Sequence, residues 1–487
     1  MHSTPLRPVL KLLPLPYAAD SLQYFHTIAA QLPMPLILQS DIDAHNATVN
    51  TSTRGRFDII TAAPEFWLQT KNSQIDWRGS LPSTIKKTQG HSFAALHAVV
   101  TDMLMADIDY SAAIQQELPF CGGLIGYCAY DLTREYIPLA SIPKNDIDVP
   151  DMQFGFYAWA CIQDHKNKKS WLTLHPHCNK NLAQSLPQYL LASTHKKNDK
   201  DASAFLSADF SSNITKQEYS QKFSTIQEYI HAGDCYQINF AQRFSTKTTR
   251  RDIDIYQHLR KVMPSPFCAY LPIYNNKDSA ILSFSPERFV QLRTDGTATS
   301  QPIKGTASRK RDTQEDQQAA LMLENDPKNR AENLMIVDLL RNDFGKVCEI
   351  GSVSVKKLFE LQTFSNVHHL VSTIEGKLKQ KYNGADLLQA CFPGGSITGA
   401  PKVRAMQIID ELELSRRSVY CGSIVMYSAH GAMDSNIMIR TLLLANGELF
   451  CWGGGGIVAD SNCESEYQES LTKIQTLLNA LQENNRQ

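Results

Sequence analysis

No CxxC pair occurs among the eleven scattered cysteines. An odd count without metal-ligand or disulfide spacing speaks against a disulfide framework and a thiolate zinc site, and for reduced thiols. No apolar run is long enough to span a bilayer. The opening MHSTPLRPVLKLLPLPY is interrupted by Pro8, Lys11, Pro14 and Pro16, too often for a signal-peptide core. The expectation is a cytoplasmic protein with no membrane partner. Charge of one sign is lacking too: Lys+Arg 48 stand against Asp+Glu 49, a formal net charge of -1. Nothing here attracts a nucleic acid or an anionic surface. There is no GxSxG elbow, no HExxH and no GxGxxG of the dinucleotide type. The Gly-rich PGGSITGAPK carries Ala400 where a Walker A loop needs lysine, which argues against a nucleoside triphosphate.

What is present is a 487-residue chain with 43% hydrophobic and 20% charged residues, enough for a sizeable core. Up to about residue 175, short apolar runs such as PLILQS (35–40), RFDIITAAP (56–64) and FCGGLIGYCAYDL (120–132) predict strands and turns. A polar stretch over 194–213 reads as a linker between a region 1–193 and a region 214–487. TKQE (215–218) is a capping box that opens a helix to His231, stopping near Gly233. CYQINFAQRF alternates, placing Tyr236, Ile238 and Phe240 on one face and Gln237, Asn239 and Gln242 on the other. That polar face is either solvent-exposed or lines a site, exposure being commoner. AENLMIVDLLRNDFG predicts a helix ending near Gly345. YCGSIVMYS, MIRTLLLANG and ELFCWGGGG predict successive antiparallel strands, and a capping box from Ser461 to Glu464 opens a C-terminal helix. The mixed order gives an α+β fold, with a large sheet core and helices outside.

Several constellations could carry chemistry. Glu466, Glu469 and Lys473 fall on one helix face at i, i+3, i+7. Two carboxylates one turn apart can share Mg2+, or can complement the helix dipole. PGGSITGAPK opens into a helix with Pro401 at its start, an anion site or an ordinary turn. Gly453 to Gly456 form either a ligand-approach turn or a tight bend. Arg440 in strand-like IMIRTLLLA needs a partner, a substrate carboxylate or an internal acid. His369 in NVHHLVSTI suits a hydrogen-bonded core residue. In QPIKGTASRKR, Pro302 and Ile303 end a strand, Gly305 turns, and Lys304 reads as a surface cation. Arg309 to Arg311, ahead of Asp312, Glu315 and Asp316, read as a solvated face. The residues by themselves support an enzyme with a Mg2+ site and an anionic, carboxylate-bearing substrate.

The phrases GDCYQINFAQRF, SFSPERF, PIKGT, AENLMIVDLLRND, HHLVSTIEG, GGSITGAPK, YCGSIVMYS, MIRT, GGGIVADS and ESEYQES occur in one order. Together they resemble the chorismate-utilising enzymes, and within them the aminodeoxychorismate synthase component I branch, densely over about 213–475. The resemblance implies an anthranilate synthase component I-like sandwich of large antiparallel or mixed sheets with helices outside. It implies amination of chorismate at C4, a step toward 4-aminobenzoate and folate. Lys304 would be the covalent nucleophile, where anthranilate synthases read PIAGT. Glu287 would be the proton donor. Gln237 stands where water-adding relatives carry a lysine base, so ammonia would be the nucleophile. Glu332, Glu466 and Glu469 would hold Mg2+. Arg440, Lys473, Gly455 and Gly456 would face the substrate's carboxylates, with Tyr420, Thr398 and His369 in the pocket. A tryptophan pocket would involve Ser40, Arg54, Gly55, Arg56, Phe57, Pro266, Phe267 and Cys268. Asn329 departs from the family pattern, where an acid is common. A separate glutamine amidotransferase subunit would deliver ammonia, forming a heterodimer. The rival readings are an anthranilate synthase large subunit and a non-catalytic tryptophan-binding protein on the same fold.

Overall fold

The structure, a computed structural model, describes residues 7–40, 55–79, 90–192, 205–274, 278–364 and 367–482. Local signals resolve as the sequence predicts at helix Lys216–His231. The Thr215 hydroxyl accepts from the Glu218 amide at 3.2 Å, and the Glu218 carboxylate accepts from the Thr215 amide at 2.8 Å. Such a cap contributes about 1 kcal/mol. The C-terminal helix Cys463–Gln482 starts differently. Asn462 Oδ1 accepts from the Ser465 amide, while the Ser461 hydroxyl donates to Glu466 Oε1 at 2.6 Å. No Ser461–Glu464 box forms. Helix Pro327–Val347 runs through Gly345 for one further half-turn.

Among the described residues, the strands form two large sheets, of twelve and eleven strands. Every strand pairing in them is antiparallel, so neither sheet is mixed. Both sheets draw on both halves of the chain. Leu36–Gln39 pairs with Phe267–Pro272, and Gly123–Cys128 pairs with Ser423–Ser428. Regions 1–193 and 214–487 are therefore interleaved. The described part of the linker-like stretch is pinned down as well. Ser211–Ser212 pairs with Phe244 and Ser245, and the Ser207 amide donates to the Lys247 carbonyl. Residues 194–204 lie outside the described residues.

The chain switches sheets at two adjacent places. Strand Ala280–Ser285 belongs to the larger sheet and Arg288–Leu292 to the smaller, with only Pro286 and Glu287 between. Strand Met433–Asn436 belongs to the smaller sheet and Thr441–Ala445 to the larger. The sequence pattern missed Met433–Asn436, which pairs with Ser423–Ser428. Thr441–Ala445 and Glu448–Val458 pair in the other sheet, so the three predicted strands are not one ladder. The two crossovers bond to each other: the Ile437 amide donates to the Glu287 carbonyl at 3.0 Å. Strands that change sheets make the corners of packed sheets.

One continuous core joins side chains of both sheets, such as Phe154 and Phe284. Helices Lys216–His231 and Lys402–Leu412 bury a second core against Ile238, Phe240 and Ile457. Among the described residues no helix is long and apolar enough to cross a membrane.

Candidate active site

Lys304 does not sit at a strand end. It lies inside strand Ile303–Ser308, at a bulge. Ile303 stands opposite Val371 and Thr306 opposite His369, so one residue is extra on the Lys304 side. Gly305 takes φ +81 there, a conformation that favours glycine. Bulges re-aim side chains. Here Lys304 Nζ comes 3.8 Å from Glu332 Oε2, with only 14% of the lysine side chain exposed. A Cβ on Gly305 would lie 2.9 Å from Asn329 Cγ. The Asn329 carboxamide thus packs on the bulge, where a larger residue at 305 would not fit. Of the basic neighbours, Arg309 is not a solvated cation: Nε binds Asp316 at 2.9 Å and Nη1 the Phe364 carbonyl at 2.8 Å.

Strand Gln237–Lys247 pairs along its length with Glu448–Val458, which contains the four glycines in extended conformation. They are not a turn. Gly456 makes room for Gln237, whose Nε2 would lie 2.9 Å from a Cβ there. The Gln237 carboxamide is wholly buried, and neither of its polar atoms has a hydrogen-bond partner among the described residues. The polar face of this strand is therefore interior, while Tyr236 is the exposed one. Gln242 belongs to the other face by strict alternation, and it donates to the Ser470 hydroxyl.

Gly455 opens a cradle. The position of its missing Cβ lies 3.3 Å from Glu466 Oε2, 3.7 Å from Glu469 Oε1 and 3.7 Å from Lys473 Nζ. Lys473 binds Glu469 at 2.7 Å and donates to the Gly454 carbonyl. Lys328 lies 3.5 Å from Glu466 Oε1. Burial pushes the Glu469 carboxyl up, but Lys473, with Lys328 and Lys304 beyond it, outweighs this and holds it below the usual range. Each of the three carboxylates thus has its own lysine.

Glu287 sits on its crossover, buried, and accepts from the Ser396 hydroxyl at 3.0 Å. Two residues on, the Thr398 hydroxyl donates to the Gly394 carbonyl at 3.0 Å, so it locks the turn. Tyr420 stacks parallel to Trp452 at 5.9 Å, and burial keeps its phenol neutral by raising its pKa far above the ordinary value. His369 is buried opposite the bulge, 2.9 Å from Thr306 Oγ1. Arg440 is not in a strand. It holds the second crossover at φ +50, a strained conformation for a non-glycine residue. Burial pulls its guanidinium below the ordinary range, and no carboxylate among the described residues pairs with it. Sequence reasoning missed Lys328 and Ser396; only their neighbourhood to Glu332 and Thr398 in the chain pointed to them.

A second site, a cavity of about 110 Å³, lies between the sheets. Ser40, Phe57, Pro266, Phe267 and Cys268 line it. Arg56 turns away, to Asp164 at 2.8 Å and to Glu117, and Gly55 is not in its wall. Arg54 lies outside the described residues.

The model of a family described as chorismate binding enzyme matches residues 53–479. The chain belongs to the chorismate binding enzymes. Among relatives of this family, the aminodeoxychorismate synthase component 1 of Escherichia coli (strain K12) is 42% identical over 463 residues, 95% of this chain and 96% of the relative. That of Klebsiella aerogenes is 40% identical over 472 residues, 97% and 99% of the two chains. The crystal structure of anthranilate synthase component I from Streptococcus pneumoniae TIGR4 superposes with TM-score 0.72 at 32% identity, covering 90% of this chain and 95% of that one. The α+β sandwich is shared with it.

A chorismate binding enzyme commonly uses Mg2+, and the donor set here can be tested against it. Glu466 and Glu469 turn one oxygen each toward the Gly455 cradle, hard ligands of the kind Mg2+ prefers. Among the described residues no three His, Cys, Asp or Glu side chains gather around one point. Glu332 faces Lys304 instead. Two carboxylates fit the cation, while Glu332 is engaged with Lys304.

Proposed function

We propose that this chain converts chorismate and ammonia to 4-amino-4-deoxychorismate. Lys304 carries the proposal: a bulge turns it inward beside Glu332, in the position that the resemblance gives to the nucleophile. The Lys304 amine, once neutral, attacks C2 while the C4 hydroxyl leaves as water with a proton from Glu287. Ammonia then attacks C4 and expels the lysine as the double bond returns. The Ser396 hydroxyl holds the Glu287 carboxyl for its transfer. The Gln237 carboxamide cannot act as a base toward water, which leaves ammonia as nucleophile. Arg440, uncommitted to any internal acid, would bind a substrate carboxylate together with Lys473. Glu332, Glu466 and Glu469 would hold Mg2+, which supplies positive charge toward the ring carboxylate.

Ammonia would come from a separate glutaminase subunit. The cavity between the sheets would hold tryptophan, since five of the eight residues assigned to that role line it. Free thiols at all eleven cysteines, ten of them buried, support a reducing, cytoplasmic setting. The test is incubation of the purified chain with chorismate, ammonium and Mg2+, with products resolved by chromatography. 4-Amino-4-deoxychorismate is expected; anthranilate as the main product overturns the assignment. A rise in melting temperature with tryptophan checks that cavity, and an unchanged melting curve removes tryptophan from it.

A further inference from the structure

Strand Gln237–Lys247 has Glu448–Val458 on one edge. Its other edge is covered only in part. Gly399–Ala400 stands opposite Gln237 and Ile238, and Ser211–Ser212 opposite Phe244 and Ser245. Between them, buried backbone needs partners that no strand supplies. Three side chains supply them, one being Asn213, whose Oδ1 accepts from the Arg243 amide at 2.9 Å. Arg417 Nη2 donates to the Asn239 carbonyl at 2.5 Å, and Glu413 Oε1 accepts from the Ala241 amide at 2.9 Å. Arg417 and Glu413 bind each other, Nε to Oε2 at 3.0 Å and to Oε1 at 3.2 Å, and Nη2 to Oε1 at 2.7 Å. They are 1% and 5% exposed.

Arg417 has a third arm. Its Nη1 donates to the Ile397 carbonyl at 2.8 Å. Its guanidinium also lies over the rings of Tyr130, at 4.8 Å, and Tyr420, at 5.8 Å. Ile397 is flanked by Ser396, which donates to Glu287, and by Thr398, whose carbonyl accepts from the Asn239 amide. One planar fork therefore fixes the edge of the Gln237 strand, the turn that orients Glu287 and the aromatic wall at Tyr420. A lysine ammonium is a compact point charge and cannot present that fork.

We infer that Arg417, braced by Glu413, is a positioning residue for the amination: it sets the 395–398 turn and the Gln237–Asn239 edge without touching substrate. The inference rests on the function proposed above. Arg134 supplies the control. It is paired with Asp131 at 2.7 Å and with Asp410, in the same shell, yet none of its bonds reaches the turn or the strand edge. The full chain would be assayed as wild type, Arg417→Lys and Arg134→Lys, with chorismate, ammonium and Mg2+, alongside melting curves. Arg417→Lys should lose about 10²-fold in kcat, the scale of a small misplacement of reacting groups, with chorismate KM changed less than about threefold. Arg134→Lys should melt lower but keep wild-type kcat. If Arg417→Lys does not fold, the double variant Arg417→Gln, Glu413→Gln removes both charges and keeps the acceptor for Ala241; the same kcat loss is expected. Wild-type kcat in a folded Arg417 variant, or equal kcat losses in Arg417→Lys and Arg134→Lys, overturns the inference. A wild type that leaves chorismate unaminated overturns the functional proposal first.

Discussion

The proposed catalytic site and the cavity between the sheets differ in how most of their ions are held. In the catalytic one, Lys304 and Glu332 stand 3.8 Å apart, and Lys328 and Glu466 3.5 Å apart. Both are beyond good hydrogen-bond reach. Arg440 has no acid at all among the described residues. In the cavity, Arg288 closes on Asp434 through two bonds of 2.9 Å and lies over the Phe267 ring, amid apolar walls. Breaking a closed, buried pair by removing one partner costs roughly 3–5 kcal/mol. Loose pairs can be rearranged for far less. Of the three carboxylate–lysine pairs around the cradle only Lys473–Glu469, at 2.7 Å, is closed like Arg288–Asp434; the other two stand open.

The sharpest break in this comparison is Lys304→Ala. Turnover to 4-amino-4-deoxychorismate should fall by about 10³-fold or more, as expected when a covalent nucleophile is lost. Intact mass should show a chorismate-derived adduct on the wild type only. Next, Glu469→Gln should raise the Mg2+ midpoint by about tenfold or more, read from a titration of activity and of calorimetric binding. On the apolar side the pattern should invert. Ile59→Ala, in the wall of the cavity between the sheets, should destabilise by about 2–5 kcal/mol in denaturant melts while leaving kcat unchanged.

The smallest effect tests burial without a counter-charge. His175 is buried against Tyr110, and burial lowers its pKa to about 3. The unfolded chain therefore takes up this proton near pH 6.5 while the folded chain does not. Stability should fall as pH drops from 6.5 toward 3, by about 2 kcal/mol at pH 5. Melting curves of His175→Gln should be flatter over that range; identical slopes would remove His175 from the account.

What the sequence disclosed was local. The Thr215 box and the Leu36–Gln39 strand need only neighbours in the chain, and both formed as expected. The α+β class followed from the order of such elements. The ordered motifs proposed a set of site residues, but nothing in them foretold how those residues are held. The Lys304 bulge exists only because Val371 and His369 pair across it. Arg440 looked like strand because the corner it occupies is set by two sheets that no short window contains. Ser461 lost the cap to Asn462 because its hydroxyl is drawn to Glu466. Glu413 and Arg417 drew no reading from the sequence; only the uncovered strand edge gives them work.

The interleaving of the two halves carries a consequence for how the chain comes off the ribosome. Strand Gly123–Cys128 has no neighbour on one side until Ser423–Ser428 exists. At ~5–20 residues per second, that partner emerges roughly 15–60 s later. Throughout that time an apolar edge is open to any passing strand. Splitting the gene between the halves would make the wait permanent, so the fragments should be recovered only when they are synthesised together.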